Sequence, residues 1–185
     1  MKRGRIILFI LIVCISHIRA QNKRPLRWAQ PVNTTSIHNI HIITGKVFRS
    51  EEPEQDQFVE LKELGIITIV SLCTDYIDRT YFNNLGLKVY QVPIRARSFD
   101  NQEIIAALKV LNDAPKPMLI YCKQGTDWTG VVIAMYRVLF ESWCKEDAIM
   151  EMETGGYNYE GKNNNISNYI KEADVDFLKQ EIGID

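Results

Sequence analysis

The sequence predicts an α/β fold, with a mostly parallel central sheet flanked by helices. Helix-like and strand-like patterns alternate along the chain, which is typical of strands joined by crossover helices. Residues 66–72 form a nearly continuous apolar run, as expected of a strand that is buried on both faces. A second apolar run, residues 117–121, leads directly into Cys122. Because ligands of such sheets bind beyond the carboxyl ends of the strands, we expect a functional site near this cysteine.

The predicted helices have recognisable start and stop signals. The helix over residues 53–64 has Pro53 in its first turn and Gly65 after its end. Asp100 and Glu103 form a predicted capping box at the start of a later helix, which carries an apolar stripe. In chain order, the predicted elements are helix 53–64, strand 66–72, helix 76–85, strand 88–92, a helix from residue 100, strand 117–121 and helices 129–140, 145–153 and 168–180.

The first 20 residues form a separate unit. Basic residues at positions 2, 3 and 5 precede an apolar core over residues 6–15, and Ala20 supplies a cleavage end, so a signal peptide and export to the periplasm or out of the cell are predicted. This core is too short for a bilayer span, which needs about 20 residues. Ile18 and Arg19 fit a cleavage site poorly, so an uncleaved anchor is the alternative. Only that anchor would give the protein a stable membrane partner.

The rest of the chain is predicted to be a flexible leader, residues 21–37, followed by one domain, residues 38–185. Without residues 1–20, 18 basic residues remain against 23 acidic ones, a net charge near −5. This acidic balance argues against nucleic acid as a partner. Three cysteines remain, and an odd number leaves at least one thiol free. The oligomeric state has no signal in the sequence.

A glycine-containing loop separates the apolar run that ends at Cys122 from a helix predicted to begin at Thr129. The loop contains Gly125. The backbone N–H groups of such a loop, and of the helix turn after it, form an anion site. The positive end of the helix stabilises a thiolate, so a cysteine at the base of the loop becomes nucleophilic near neutral pH. A buried structural cysteine is the alternative, but it explains this position poorly.

The stretch resembles the signature of the cysteine-dependent protein phosphatases, the tyrosine and dual-specificity superfamily. That signature reads His-Cys, five residues, Arg, then Ser or Thr. Cys122 matches the nucleophile, Gly125 the loop glycine, and Thr129-Gly130 the residues after the arginine. The resemblance to the compact bacterial members implies a dual-specificity-phosphatase-like domain without a cofactor or metal. Other segments that resemble these members are residues 44–50, 64–72, 89–94, 143–149 and 155–157.

The resemblance also implies roles for individual residues. Cys122 would attack phosphorus and form a cysteinyl-phosphate, and the Thr129 hydroxyl would help the thiolate to leave it. Asp127 matches a candidate general acid of the subgroup whose signature reads Gly-x-Asp-Arg-Thr-Gly. An ordinary helix-start residue is the alternative for both Asp127 and Thr129. The residues implied to bind the substrate are Lys123, Gln124, Gly125, Thr126 and Trp128.

Two positions depart from the signature: Tyr121 stands where it has His, and Trp128 where it has Arg. The arginine would hold two phosphate oxygens in a bidentate fork, whereas indole offers one neutral donor. Because losing one preorganised donor typically costs about 10²–10³-fold in rate, we expect impaired or absent turnover. Lys123, Arg95 and Arg97 are candidate replacement cations, or else solvated surface charges.

Two further residues have alternative interpretations. Asp100 matches the position of a general acid in the phosphatase family that the chain resembles. Its predicted capping role explains an aspartate at this position equally well. Cys73 ends a strand predicted to lie near the strand of Cys122. Some family members form a reversible disulfide between such cysteines, so the resemblance leaves a Cys73–Cys122 pair open.

Other functional classes lack their residues. The only histidines after position 20 are His38 and His41, and the chain has no CxxC or HExxH motif, so a zinc site is not expected. No Walker or GxGxxG motif occurs. We therefore expect a phosphatase of low turnover that acts on phosphotyrosine, another phosphoprotein or a small phosphate ester. The alternative is a catalytically dead pseudophosphatase that binds phosphate or protein.

Overall fold

A computed structural model describes residues 24–95, 101–160 and 164–184. Its strands are β1 (Gln30–Pro31), β2 (His41–Thr44), β3 (Val47–Glu51), β4 (Thr68–Ser71), β5 (Lys88–Gln91) and β6 (Met118–Cys122). They form one sheet in the order β1-β2-β3-β6-β4-β5. The pairs β3–β6, β6–β4 and β4–β5 are parallel, whereas β1–β2 and β2–β3 are antiparallel. The predicted α/β fold with a mostly parallel sheet is confirmed.

Helices cover both faces of this sheet. In chain order they are α1 (Gln57–Glu63), α2 (Arg79–Asn84), α3 (Asn101–Asp113), α4 (Asp127–Phe140), α5 (Lys145–Thr154), α6 (Asn164–Glu172) and α7 (Val175–Ile182). Apolar residues of α3 to α7 share a large core with one face of the sheet. Those of α1 and α2 share a smaller core with the other face. Among the described residues, no helix is both long and apolar enough to cross a membrane.

Strand β6 lies between these two cores and explains the apolar run that precedes the loop. Its alternate residues Met118, Ile120 and Cys122 belong to the large core, and Leu119 and Tyr121 belong to the small one. All five are buried. Because side chains alternate between the faces of a strand, a central strand with helices on both sides needs apolar residues at nearly every position.

The predicted C-terminal helix over residues 168–180 is wrong in one respect, because it is two helices. Helix α6 ends at Glu172, and α7 begins at Val175 after the N-cap Asp174. The Asp174 carboxylate accepts a hydrogen bond from the Phe177 backbone N–H at 3.0 Å. A capping carboxylate stabilises a helix start, so the chain turns here although the apolar spacing continues across the break.

The predicted flexible leader is also wrong over its described part, residues 24–37. Strand β1 pairs with β2, and Ala29 and Ile37 are buried. The Ala29 N–H donates to the Glu151 carboxylate at 2.5 Å, and the Arg24 guanidinium donates to the Tyr157 hydroxyl at 2.8 Å. Single buried residues and backbone hydrogen bonds hold this segment, and neither produces a periodic sequence pattern. The predicted signal peptide, residues 1–20, lies outside the described residues.

Candidate active site

Cys122 is the last residue of β6, the strand between β3 and β4. Its side chain is only 4% exposed. The loop over residues 123–126 follows, and α4 begins at Asp127, two residues before the predicted start. Cys122 therefore lies at the carboxyl end of a parallel strand and directly before a helix N-terminus, where ligands of such sheets bind.

Gly125 allows this loop to pack against the end of β3. Its φ is +65°, a left-handed conformation that favours glycine. A Cβ at this position would lie 2.4 Å from the Ser50 carbonyl oxygen and 2.5 Å from the Glu51 nitrogen. The Gly125 N–H donates to the Cys122 carbonyl at 3.1 Å, which closes a tight turn. A larger residue would therefore displace the loop from β3.

Two carbonyl groups of the loop are held by hydrogen bonds from β3 and the segment after it. The Gly125 carbonyl accepts from Nη2 of Arg49 at 2.6 Å. The Lys123 carbonyl accepts from the Glu52 backbone N–H at 3.5 Å. In a trans peptide, the N–H of the next residue points away from the carbonyl. Holding these carbonyls towards β3 therefore turns the N–H groups of Gln124 and Thr126 to the opposite side of the loop.

Helix α4 adds its N-terminal turn to the site. Thr126 is the N-cap residue, and its carbonyl accepts from the Gly130 N–H at 2.7 Å, the first hydrogen bond of the helix. The first-turn N–H groups of an α-helix have no acceptor within the helix, and they carry its positive end. Thr129 lies in this turn, and its buried hydroxyl has no hydrogen-bond partner among the described residues. Loop and helix together provide the donors of an anion site.

A cleft of about 470 Å³ opens at this end of the sheet. Cys122 and Trp128 both line this cleft. The indole of Trp128 therefore lies on the cleft wall, at the position where the phosphatase signature has an arginine. Trp128 is half-buried and also packs against the large core. The complete lining is Leu72, Cys73, Thr74, Asp75, Ile94, Arg95, Cys122, Lys123 and Trp128.

The candidate replacement cations differ in position. Lys123 and Arg95 line the cleft, and Arg97 lies outside the described residues, as does Asp100. The Lys123 ammonium is exposed and forms a 2.5 Å ion pair with Glu52. A hydrogen bond to the Glu52 carboxylate, and then its charge, raise the pKa of Lys123. Lys123 thus has an acidic partner at the rim of the cleft, which reduces its attraction for an anion.

Tyr121 points away from the Cys122 thiol. It lies on the opposite face of β6, in the small core, with its ring 6.4 Å from that of Phe58. Burial raises its pKa to about 12, against a hydrogen bond with the Ser71 side chain that lowers it. The two departures from the signature therefore lie in different surroundings. Tyr121 is an uncharged residue of the small core, whereas Trp128 lines the cleft.

Cys73 lines the same cleft as Cys122, and the structure holds both as free thiols. Burial raises the pKa of Cys73 to about 12, with the nearby negative charges of Glu52 and Cys122 adding to the rise. Cys73 is therefore protonated at neutral pH and a poor nucleophile. Within the described residues, no group of three His, Cys, Asp or Glu side chains is placed to hold a metal ion.

Sequence reasoning missed the residues that support the loop from below. Arg49 is 1% exposed and binds the loop carbonyl of Gly125. Asn39 donates to the Tyr157 carbonyl at 3.1 Å and approaches the Gly125 carbonyl at 3.4 Å. The sequence carries one signal for the role of Arg49, because this charged residue directly follows the apolar pair Val47-Phe48. A charge within a buried strand requires a specific partner.

Comparisons of sequence place these features among known proteins. Residues 36–183 match the sequence profile of the tyrosine phosphatase family. The dual specificity protein phosphatase TpbA of Pseudomonas aeruginosa is 32% identical over 154 residues, which cover 82% of this chain and 69% of TpbA. The inositol diphosphatase DSP3 of Arabidopsis thaliana is 27% identical over 152 residues, which cover 77% of this chain and 73% of the relative.

Solved structures show the same likeness. A crystal structure of P. aeruginosa TpbA matches this fold with a TM-score of 0.76 at 33% identity, covering 86% of this chain and 99% of the other. TpbA has also been solved as a Cys-to-Ser variant in complex with phosphotyrosine. The core catalytic domain of the phosphatase Siw14 from S. cerevisiae, in complex with citrate, matches with a TM-score of 0.70 at 26% identity, covering 78% and 90%.

Proposed function

This chain belongs to the tyrosine phosphatase family, and we propose on that premise that it binds phosphate monoesters in the Cys122 loop and hydrolyses them slowly. One observation carries the proposal: a buried cysteine lies at the base of a loop whose carbonyls are held towards β3, directly before a helix N-terminus. That arrangement directs N–H donors at an anion beside the thiol.

The reaction proceeds in two displacements. The Cys122 thiolate attacks phosphorus, so an S–P bond forms as the ester P–O bond breaks. Asp127, half-buried in the first turn of α4, is our candidate for the acid that protonates the leaving oxygen. Water then attacks phosphorus and gives its proton to the Asp127 carboxylate, and the S–P bond breaks to release phosphate. Thr129 is our candidate for the hydroxyl that stabilises the departing thiolate.

Trp128 is the reason we expect slow turnover. The transferring phosphoryl group carries charge that a guanidinium would hold with two parallel hydrogen bonds. The indole of Trp128 brings bulk and one neutral donor to the same wall of the cleft. Removing a donor of this kind typically costs about 10²–10³-fold in rate. Binding suffers less, because the backbone N–H groups of the loop do not depend on the side chain at position 128.

The relatives support a proposal for the substrate class. TpbA has been solved with phosphotyrosine, and other relatives are named inositol diphosphatases. We propose a phosphotyrosine-containing protein or a small phosphate ester as the substrate of this chain. The open cleft before Cys122, with its apolar wall residues Leu72, Ile94 and Trp128, suits an aryl phosphate.

A catalytically dead pseudophosphatase is the second candidate, and Trp128 favours it. In that case the loop and its helix N-terminus bind a phosphorylated partner without turnover. The two candidates differ only in whether Cys122 completes the first displacement.

The test is hydrolysis of para-nitrophenyl phosphate by the purified protein and by its Cys122→Ser variant. We expect slow hydrolysis that the Ser variant lacks, because only a thiolate forms the intermediate. Cys144→Ser is the matched control, since Cys144 is an exposed free cysteine at the start of α5, and it should retain the parent rate. Equal, negligible rates in parent and Cys122→Ser, with retained binding of a phosphotyrosine peptide, would establish the pseudophosphatase instead.

We also propose that residues 1–20 direct export and are removed. This rests on the sequence pattern alone, since these residues lie outside the described part of the chain. Mass spectrometry of the N-terminus of the expressed protein distinguishes a cleaved signal from a retained anchor.

A further inference from the structure

Arg49 is a buried cation that no described carboxylate pairs with. It is 1% exposed, and within the described residues no Asp or Glu forms an ion pair with it. One guanidinium nitrogen binds the Gly125 carbonyl, while Nε is buried and has no hydrogen-bond partner in the described part of the chain. Burying an uncompensated charge is strongly unfavourable, so a nearby negative charge is expected to neutralise it.

The nearest acidic groups on the core side do not serve this purpose. The Glu151 carboxylate forms two 2.9 Å hydrogen bonds with the Arg137 guanidinium, which neutralises it. The Tyr157 ring lies 3.8 Å from the Arg49 guanidinium carbon, but burial raises the pKa of its hydroxyl to about 12. Tyr157 is therefore uncharged at neutral pH, and it offers Arg49 only the face of its ring.

The remaining direction is towards the loop. Arg49 pairs with Ile120 and Glu51 pairs with Cys122 across the parallel strands β3 and β6, so Arg49 and Cys122 project from the same face of the sheet. The Arg49 side chain reaches the loop itself, at the Gly125 carbonyl. Burial lowers the pKa of Arg49, and electrostatic interactions with the ionisable groups of Tyr157, Cys122 and Glu151 oppose that effect. Arg24 donates to Tyr157 and Arg137 to Glu151, so among the described residues Cys122 is the one of the three to which no other cation is bonded.

We propose that Arg49 is the buried counter-charge of the loop, which neutralises from beneath both the Cys122 thiolate and a phosphate bound beside it. This inference rests on the proposed anion-binding function of the loop. Arg49 of β3 then supplies part of the positive charge that the phosphatase signature places at position 128. Arg49 acts through the Gly125 carbonyl and through space, so it is a positioning residue and does not contact the reacting atoms.

The first test separates the charge of Arg49 from its hydrogen bond. Arg49→Gln keeps a donor for the Gly125 carbonyl and removes the charge, whereas Arg49→Lys keeps the charge. The readout is the pH at which Cys122 reaches half of its maximal rate of alkylation by iodoacetamide, measured by mass spectrometry in a Cys144→Ser background. Other titratable or charged groups are unchanged in all variants. Around the cleft and loop they include Glu51, Glu52, Cys73, Asp75, Arg95, Lys123 and Asp127, and around Arg49 they include Arg24, His41, Glu151 and Tyr157.

We expect Arg49→Gln to raise this pH midpoint by about one unit or more, as loss of a neighbouring opposite charge does. Arg49→Lys should remain near the parent. The matched control is Lys46→Gln, which removes an exposed cation just before the other end of β3 and should leave the midpoint unchanged. If Arg49→Gln has the midpoint of the parent, the charge is irrelevant and the proposal is overturned.

The second measurement uses unaltered Arg49 and so does not depend on the folding of the Arg49 variants. In protein labelled with ¹⁵N-arginine, the Nε–H resonance of Arg49 should shift between pH 6 and pH 10 as the Cys122 thiolate forms. Adding sodium tungstate, an inert phosphate mimic, at constant pH should move it again. The pH-dependent shift should vanish in Cys122→Ser, and its persistence there, or an unresponsive resonance in the parent, refutes the proposal. Neither measurement requires turnover, so failure of the hydrolysis assay alone leaves this inference standing.

Discussion

At the scale of the residue, the proposed function depends most on Trp128. The backbone donors of loop and helix are in place, and the proposed anion binding relies on them rather than on the side chain at position 128. An arginine there would add a charge and a fork that strengthen as negative charge moves in the transition state. Trp128 adds neither, but it keeps the cleft wall packed against the large core. The proposal therefore predicts that anion binding and turnover are separable in this protein.

The first prediction concerns repair of the loop. Trp128→Arg should raise hydrolysis of para-nitrophenyl phosphate by about 10²–10³-fold, the inverse of the cost of deleting one preorganised donor. The gain should come mainly in kcat, because the bidentate contact matters most in the transition state. Steady-state kinetics of the parent and the variant give the two constants separately.

Three further variants control this experiment. Trp128→Phe keeps an aromatic wall without a donor and should not gain activity. Trp128→Lys supplies charge without the fork and should gain less than arginine. Because Tyr121 faces the small core, adding Tyr121→His to Trp128→Arg should bring no further increase. A Trp128→Arg protein that folds but hydrolyses no faster than the parent would show that the loop has lost more than one donor.

At the scale of the element, one buried ion pair crosses the otherwise apolar contact between α4 and α5. Arg137 is the only charged residue within the buried run Thr129–Leu139 of α4. Burial lowers its pKa, but hydrogen bonds and charge from Glu151 and Glu141 outweigh this effect and raise it. Glu151, on α5, also accepts from the Ala29 N–H and the Tyr157 hydroxyl. One carboxylate thus joins two helices, the segment before β1 and the turn after α5.

The second prediction is that Glu151→Ala destabilises the whole domain. It leaves the Arg137 guanidinium buried without its main partner, and breaking such a pair from one side costs about 3–5 kcal/mol. Urea denaturation gives the free energy of unfolding. Glu141→Ala is the control, because Glu141 is partly exposed and should cost about 1 kcal/mol or less. Similar losses in both variants would contradict a special role for Glu151.

The elements differ in how far the sequence predicts them. Strands β4 and β6 and helix α4 follow from apolar runs, and the family resemblance follows from the spacing of Cys122 and Gly125. Long-range polar contacts are not periodic, so the role of Arg49 under the loop was not predicted. For the same reason the sequence predicts a loose leader where the structure has a packed segment before β2. The break before α7 depends on the single cap Asp174, which the apolar spacing conceals.

At the scale of the whole molecule, His41 joins strand β2 to the turn after α5, which contains Tyr157. It lies in β2, 7% exposed, with its ring 4.8 Å from that of Tyr157 in an edge-on contact. Its Nδ1 lies 3.0 Å from the Asn39 carbonyl, so the neutral ring donates there. Burial lowers the pKa of His41 to about 4, with the charges of Arg24 and Arg49 acting in the same direction, against that hydrogen bond and Glu151.

The third prediction is a loss of stability in mild acid. Below about pH 6.5 the unfolded chain protonates His41 whereas the folded protein excludes the proton until about pH 4. The contribution of His41 to the free energy of unfolding is therefore constant above about pH 7, and it is lost as the pH falls from about 6.5 to about 4. The linkage relation gives about 2 kcal/mol between pH 7 and pH 5. The His41→Phe variant keeps an aromatic ring and cannot titrate. In urea denaturation it should lose about 2 kcal/mol less stability than the parent between pH 7 and pH 5. If parent and variant lose the same, His41 already accepts its proton in the folded state.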